Sequence, residues 1–246
     1  MSPRDWDARS YDRVSDPMTG WGRAVLDRLP LQGHERVLDA GCGTGRVTEA
    51  LRARLPAGHV VALDASPSML AEARARLGDD RVEYVLADLG QPLPLDAPVD
   101  GVFSNATFHW VRNHDALFAN LAAVLRPGAP LVAQCGGAGN IASVLEAVRQ
   151  VGHVGPDPFH FAAPEETCRR LEAAGFVDVQ TWLHAEPTQL EPGEPLEEFL
   201  ATAALGSHLQ HLAPHERPGF VRAVAERLPR PEIDYVRLNI VACRAR

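Results

Sequence analysis

Lysine is absent from this chain. All 24 basic side chains among its 246 residues are arginine. A Walker-type phosphate loop needs a lysine on the β- and γ-phosphates. A pyridoxal phosphate enzyme needs one for its Schiff base, and the Tyr-x-x-x-Lys pair of short-chain dehydrogenases has none to use. Abundant Arg, Ala and Pro with scarce Ile match a GC-rich coding bias. Cysteine is also sparse. Cys42, Cys135, Cys168 and Cys243 form no CxxC and no metal knuckle, which reads as free thiols in a reducing compartment. The start, MSPRDWDARS, carries no apolar h-region of a signal peptide. No run approaches the roughly 20 apolar residues of a membrane span. A net charge of −8 disfavours phosphate backbones and anionic membranes. These features predict a soluble, cytoplasmic protein with no nucleic-acid or membrane partner. His208, His211 and His215 resemble a metal face at helical spacing. Pro214 interrupts it and no cysteine completes it, so they read as surface residues and no metal is expected.

The length suits a single domain. Its first 35 residues hold a turn at Asp16–Pro17 and a helical stretch over 21–29. Short apolar runs follow at 36–40, 59–63, 82–86, 99–104 and 130–135. Helix-period segments lie between them at 45–55, 67–77 and 114–125. Ser66–Pro67 is an N-cap followed by proline at the first helical position. This β-α repetition predicts an α/β fold with a doubly wound, mostly parallel sheet. Later come helices near 141–151 and 164–174, a strand at 176–183, helical stretches near 196–212 and 214–228, and a closing strand from Tyr235 to Ala242. The expected layout is one domain over 1–246: a cap segment 1–30, a core 31–135, and substrate-side insertions at about 136–165 and 186–232. The latter insertion reads as a helical lid.

The chemistry concentrates in VLDAGCGTG, residues 37–45. Glycine-spaced loops let a ligand approach bare backbone. A dinucleotide fingerprint, G-x-G-x-x-G, would place its third glycine at position 46, but that residue is Arg46. Asp39 precedes the loop, where an acid would repel a phosphate and attract a cation. Asp64 closes the second run, VVALD, where an acid can take both ribose hydroxyls. Asp88 follows the third, in YVLADL. One acid after each of the first three strands, together with the glycine loop, favours a cationic nucleoside ligand over a dinucleotide.

These motifs resemble the class I S-adenosylmethionine-dependent methyltransferases. Within them the chain is similar to the trans-aconitate 2-methyltransferase group. The subgroup likeness rests on Trp6…Tyr11…Ser15, LDASPSMLAEAR at 63–74, FSNATFHW at 103–110 and LNIVACR at 238–244. The resemblance implies a Rossmann-like, seven-stranded sheet and S-adenosyl-L-methionine as cofactor, with S-adenosyl-L-homocysteine as product. It places Asp39, Gly41 and Gly43 against the methionine part and Asp64 on the ribose. Ala65 and Met69 would flank the adenine, and Asp88 and Leu89 would meet its edge. Asn105 and Ala106 would approach from the other side, and Tyr11 would close over the cofactor.

The acceptor is then a small molecule. A carboxylate nucleophile needs no base, whereas a phenol or an acidic carbon benefits from one. His109 is the candidate, as base or as substrate contact, with Trp110 as a pocket wall. His153 and His160 fall in a loop where such enzymes build their substrate pocket, and read as solvated. Members acting on a tricarboxylate are expected to carry cations near the N-terminal segment. Here 17–22 reads PMTGWG between Arg13 and Arg23, so a less charged acid or a secondary metabolite fits as well. The favoured expectation is O-methylation of a carboxylate or other oxygen by a monomer or homodimer. C- or N-methylation and a non-catalytic cofactor-binding protein stay open. Asn105-Ala106-Thr107-Phe108 stands where nucleic-acid enzymes often carry N/D-P-P-Y/F.

Overall fold

The computed structural model describes residues 16–152 and 159–246. Its centre is a seven-stranded sheet. In chain order the strands are β1 (Arg36–Ala40), β2 (His59–Asp64), β3 (Val82–Leu86), β4 (Gly101–Asn105), β5 (Pro130–Gly136), β6 (Phe176–Ala185) and, as the last strand, β9 (Val236–Arg244). Across the sheet they run β3-β2-β1-β4-β5-β9-β6. The first five pair in parallel, and β9 is antiparallel to both β5 and β6. The expected doubly wound, mostly parallel sheet is therefore present. β7 (Thr188–Gln189) and β8 (Glu232–Ile233) form a separate two-residue ribbon that ties together the ends of the 186–232 insertion.

Both faces of the sheet are covered, which explains why the strands read as continuous apolar runs. On one face, Val37, Val60, Phe103 and Val132 pack with Val25, Leu26 and Leu29 and with Leu51 and Leu55. These come from and follow α1 (Asp16–Leu26) and α2 (Arg46–Ala53). On the other face, Leu38, Val61, Val102 and Leu131 meet Leu117, Phe118 and Leu121 of α4 (His114–Val124) and Leu171 of α6 (Pro164–Ala173). Each buried side chain of this kind contributes about 1.5–3 kcal/mol of transfer free energy. From β1 the chain moves outward through β2 and β3, then returns to β4 on β1's other side. The β1/β4 boundary is thus a topological switch point, whose crevice opens at the carboxyl ends of the strands.

The helices beyond β5 have their own apolar cluster. Ile141 and Val144 lie at the start of α5 (Ala142–Val151). They join Leu196 and Phe199 of α7 (Glu194–Phe199), Phe220 and Val224 of α9 (Arg217–Ala225), and Ile233 and Tyr235. Three local expectations are corrected. Asp16–Pro17 belongs to the first turn of α1, because proline is tolerated where amide hydrogens have no intrahelical partner. The fourth strand begins at Gly101, and Val99 makes only an isolated bridge to Leu125. The stretch 196–212 is not one helix. After α7 the turn widens over Leu200–Ala204, where Leu205 N–H donates to Leu200 O, and α8 (Gly206–Leu209) is a short resumption. Among the described residues no helix is long and apolar enough to cross a membrane.

Gly45 shows how the glycine loop and the fold constrain one another. It precedes α2 at φ 82°, in the left-handed region. A Cβ there would sit 3.1 Å from Leu77 Cδ1 and 3.3 Å from Ala73, on α3 (Pro67–Leu77). It gives the close helix packing that a dinucleotide loop assigns to its third glycine. Gly45→Ala should lower stability by about 1–3 kcal/mol, combining backbone strain with crowding. Thermal unfolding of the two proteins checks this, and an unchanged Tm contradicts the packing argument.

Candidate functional site

The predicted acids lie in a row at the carboxyl edge of the sheet. Asp39 pairs in register with Ala62 on one side and Phe103 on the other. It is 2% exposed, and Thr48 Oγ1 of α2 donates to its Oδ2 at 2.7 Å. Burial pushes its pKa up to about 7, against the Thr48 hydrogen bond and aided by the negative charge of Asp64. Asp64, at the end of β2, is half-buried and held by two backbone donors. Gly43 N–H reaches its Oδ2 and Ser66 N–H its Oδ1, each at 2.9 Å. Each oxygen keeps acceptor capacity for a further donor. Burial raises the Asp64 pKa as well, although these amide bonds oppose the shift. Asp88 is half-buried, with Oδ1 taking Gly90 N–H at 2.8 Å.

The two glycines between the acids serve different needs. A Cβ on Gly41 would fall 2.2 Å from Thr107 Oγ1, so that position is closed by the protein itself. A Cβ on Gly43 would meet nothing within 4 Å. The loop is therefore open at Gly43, between Asp39 and Asp64. Gly41 and Cys42 anchor it by donating to Leu63 O at 2.8 and 2.9 Å. Ala65 is half-buried beside Asp64, and Met69 is buried in the first turn of α3. The Leu89 side chain lies in the main core and its carbonyl accepts from Asn120 Nδ2 at 3.0 Å.

Across the switch point a second polar group lies under α1. Asn105 on β4 pairs with Gln134 on β5, Gln134 with Asn239 on β9, and Gly136 with Arg237. Gln134 Nε2 donates to Asn239 Oδ1 at 2.9 Å, and Arg28 Nη1 donates to the same oxygen at 2.6 Å. Arg237 is 3% exposed, with Nε 3.4 Å from Gln134 Oε1. Its guanidinium carbon lies 5.1 Å from the Trp21 ring centre and 6.0 Å from that of Tyr235. Gly22 brings α1 close, since a Cβ there would be 2.9 Å from Asn105 Nδ2. Ala106 takes a left-handed conformation, φ 58°, and donates its N–H to Gln134 O at 2.7 Å. Backbone strain of this kind gathers at functional sites.

His109 follows β4 in the short turn Phe108–Trp110 and is 7% exposed. Gly136 N–H donates to its Nδ1 at 3.2 Å. A neutral ring that accepts at Nδ1 carries its proton on Nε2. Burial and the nearby Arg237 charge hold its pKa well below 6.5, so the ring stays neutral at physiological pH. Trp110, Phe161 and Phe159 surround it, with ring centres 5.2, 5.8 and 6.1 Å away. His160 is not solvated as expected: its N–H donates to His109 O at 2.8 Å and its Nε2 lies 3.1 Å from Arg170 Nη1. His208 is 1% exposed, which overturns its surface assignment, because the short helix α8 turns inward; His211 and His215 are exposed. Among the described residues no cluster of three or more His, Cys, Asp or Glu side chains could hold a metal ion. Tyr11 and His153 lie outside the described residues.

The sequence reading missed Arg237, Gln134 and Thr48. The signal for Arg237 was present: VRLNIVAC places Arg237 and Asn239 on one face of an otherwise apolar buried strand, where polar residues need a reason.

Comparison with known proteins agrees with this geometry. Residues 37–128 match the family described as a methyltransferase domain. A trans-aconitate 2-methyltransferase from Methylobacterium radiotolerans is 32% identical, covering 89% of this chain and 87% of its own. Another of that name, from Rhizobium leguminosarum, is 31% identical over 95% and 92%. Among solved structures, phosphoethanolamine N-methyltransferase 2 of Haemonchus contortus, in complex with S-adenosyl-L-methionine, superposes with a TM-score of 0.66 at 21% identity. That match covers 97% of this chain and 56% of the other. Fold, glycine loop and full-length relatives agree: the chain belongs to the class I S-adenosylmethionine-dependent methyltransferases and is an enzyme that methylates a small molecule.

Proposed function

We propose that the methylated group is a carboxylate oxygen of a small organic acid of the kind named for the relatives, trans-aconitate. The observation that carries this reading is His109, a buried neutral imidazole whose Nδ1 is occupied by Gly136 N–H. Its Nε2–H is a donor and not a base. A carboxylate needs no base, and it accepts hydrogen bonds well. S-adenosylmethionine supplies an electrophilic methyl group on a sulfonium. A carboxylate oxygen lone pair forms the new C–O bond while the C–S bond breaks toward sulfur, leaving a methyl ester and S-adenosylhomocysteine, with no proton to remove. His109 orients that oxygen, and the rings of Trp110, Phe159 and Phe161 keep water away.

The residues fit the cofactor. The open position at Gly43 lies between two acids, Asp39 and Asp64. We assign Asp39, Gly41 and Gly43 to the methionine part, Asp64 to the ribose, Ala65, Met69, Asp88 and the Leu89 backbone to the adenine, and Asn105 and Ala106 to the opposite side. Tyr11 completes that set. The clustered helices of the two insertions act as the lid in this single-domain reading. The enzyme works in the cytoplasm, as monomer or homodimer. Its net charge of −8 argues against nucleic-acid and membrane partners.

Two tests follow. Burial raises Asp39 in the folded protein to about 7, above its unfolded value near 3.8, so the cofactor-free protein loses stability as pH rises from about 4 to about 7 and levels off above that. A ligand bearing an ammonium group favours the charged carboxylate. S-adenosylhomocysteine affinity, read by calorimetry, should therefore climb up to about tenfold per unit toward pH 7 and then level off. A pH-independent affinity between 5.5 and 7.5 contradicts this assignment of Asp39. For the acceptor, the protein is incubated with cofactor and a panel of small carboxylic acids, phenols and amines. The expected product is a methyl ester that base hydrolyses to methanol; a base-stable product overturns the carboxylate reading. With cofactor saturating, kcat/KM for the acceptor should lack a limb from His109 between about pH 6.5 and 8.5. A limb near neutrality that disappears in His109→Gln would make His109 a base.

A further inference from the structure

The short turn that carries His109 is tethered from outside as well as from within. Inside it, Trp110 N–H donates to Thr107 O and Val111 N–H to Phe108 O. Two further donors reach its carbonyls from other elements. His114, at the start of α4, places its Nε2 3.0 Å from Phe108 O. A carbonyl only accepts, so this nitrogen carries the ring proton. His160 N–H donates to the next carbonyl, His109 O, at 2.8 Å. The two imidazoles meet edge to face, their centres 4.4 Å apart. The His160 ring is held in turn. Arginine only donates, so His160 Nε2 accepts from Arg170 Nη1 at 3.1 Å. Arg170 pairs with Glu166 on its own helix at 2.8 Å and with Asp115 on α4 at 3.3 Å. For packing alone, His114 is a poor choice. It is buried against Phe118, and its Nδ1 has no hydrogen-bond partner among the described residues. An apolar ring of the same shape would avoid burying that unpaired acceptor. Burial holds its pKa down at about 4, although the Phe108 hydrogen bond opposes the shift, so it is neutral at physiological pH. What the imidazole gains is its hold on Phe108 O, one residue before His109.

We infer that His114 is a positioning residue for methyl transfer: it grips Phe108 O while His160 grips His109 O, so that the His109 Nε2–H keeps one direction toward the acceptor. Gly136 N–H fixes the His109 ring from β5, and the two histidines fix the backbone that bears it. In-line transfer is sensitive to alignment, and a misplacement of about 1 Å can cost on the order of a hundredfold in rate. His114 itself touches neither reactant. This inference rests on the reading of His109 as the donor that orients the acceptor.

The test follows the His109 ring by NMR in the full chain labelled with nitrogen-15 histidine. In the wild type, His114 should be neutral with its proton on Nε2 from about pH 5.5 to about 8. His114→Phe keeps a ring but removes the donor, and the His109 ring signals should shift or broaden. His114→Gln can return an N–H to Phe108 O and should restore them. A proton on His114 Nδ1, or His109 signals unmoved in His114→Phe, overturns the inference. Kinetics with trans-aconitate as acceptor read the consequence. His114→Phe should lower kcat about ten- to hundredfold, with affinity for S-adenosylhomocysteine within about twofold, and His114→Gln should recover most of the loss. In a His109→Ala background the same substitution should change kcat by less than about twofold, because the group it positions is gone. Equal losses in both backgrounds indicate a structural role and overturn the inference. Should His114→Phe fail to fold, His114→Gln and His114→Asn decide, since their amide nitrogens stand in for Nε2 and Nδ1 respectively; equal kcat in the two overturns it. If His109→Ala leaves kcat unchanged, the reading of His109 fails and this inference falls with it. If the wild type esterifies no trans-aconitate, the carboxylate reading fails, while the His109 ring signals still decide the role of His114.

Discussion

The site depends on a carboxylate buried with too little to hold its charge. Asp39 is enclosed at the end of β1, with one hydrogen bond from Thr48 and no cationic partner among the described residues. Burying an ionised carboxylate without compensation is expensive. The fold tolerates it because the strand that carries Asp39 is fixed on both sides, by Ala62 of β2 and Phe103 of β4. Much of the missing compensation can come from a positively charged ligand. The glycine loop follows from the same constraint: bare backbone at Gly43 leaves room beside the acids, and Gly45 lets α2 sit close enough for Thr48 to reach Asp39.

The switch point divides the labour. Strands β1 to β3 each have an acid at or just past the carboxyl end, Asp39, Asp64 and Asp88, the pattern suited to a cationic nucleoside. Strands β4 and β5 carry the amides Asn105 and Gln134 near the same edge, and the antiparallel β9 brings Arg237 there from its start. The division follows from topology, because β4 returns beside β1 and brings Asn105 and His109 to the open edge. The antiparallel insertion of β9 between β5 and β6 then brings Arg237 to that edge from the far end of the chain.

The first half of this arrangement was legible in the sequence and the second was not. The five parallel strands declare themselves as apolar runs because both faces of the sheet are covered, and an acid stands at or just past the carboxyl end of the first three. Helices α3 and α4 carry their own caps, Ser66 and Asn113, so their boundaries are written locally. Beyond β5 the signals are long-range. The β7–β8 ribbon joins residues more than forty apart through only two pairs. The widened turn after α7 has no residue signature, and the burial of His208 depends on packing against distant helices. Arg237 looked like one arginine among 24 because its meaning lies in its neighbours: Gln134, Trp21 and the His109 ring are all far away in sequence.

The electrostatics of the two halves explain why such a reaction suits a dry site. A sulfonium and a carboxylate carry opposite charges, and a thioether and an ester carry none. Charge is therefore cancelled as the methyl group moves. A polar solvent would stabilise the separated reactants more than the transition state, so excluding it favours the transfer. The apolar rings about His109 serve that end. The protein must still bind two charged reactants, and in the proposed reading the acids hold the remote parts of the cofactor, away from the reacting atoms. Binding energy placed there can align the methyl group with its acceptor without stabilising the charges that the reaction has to remove.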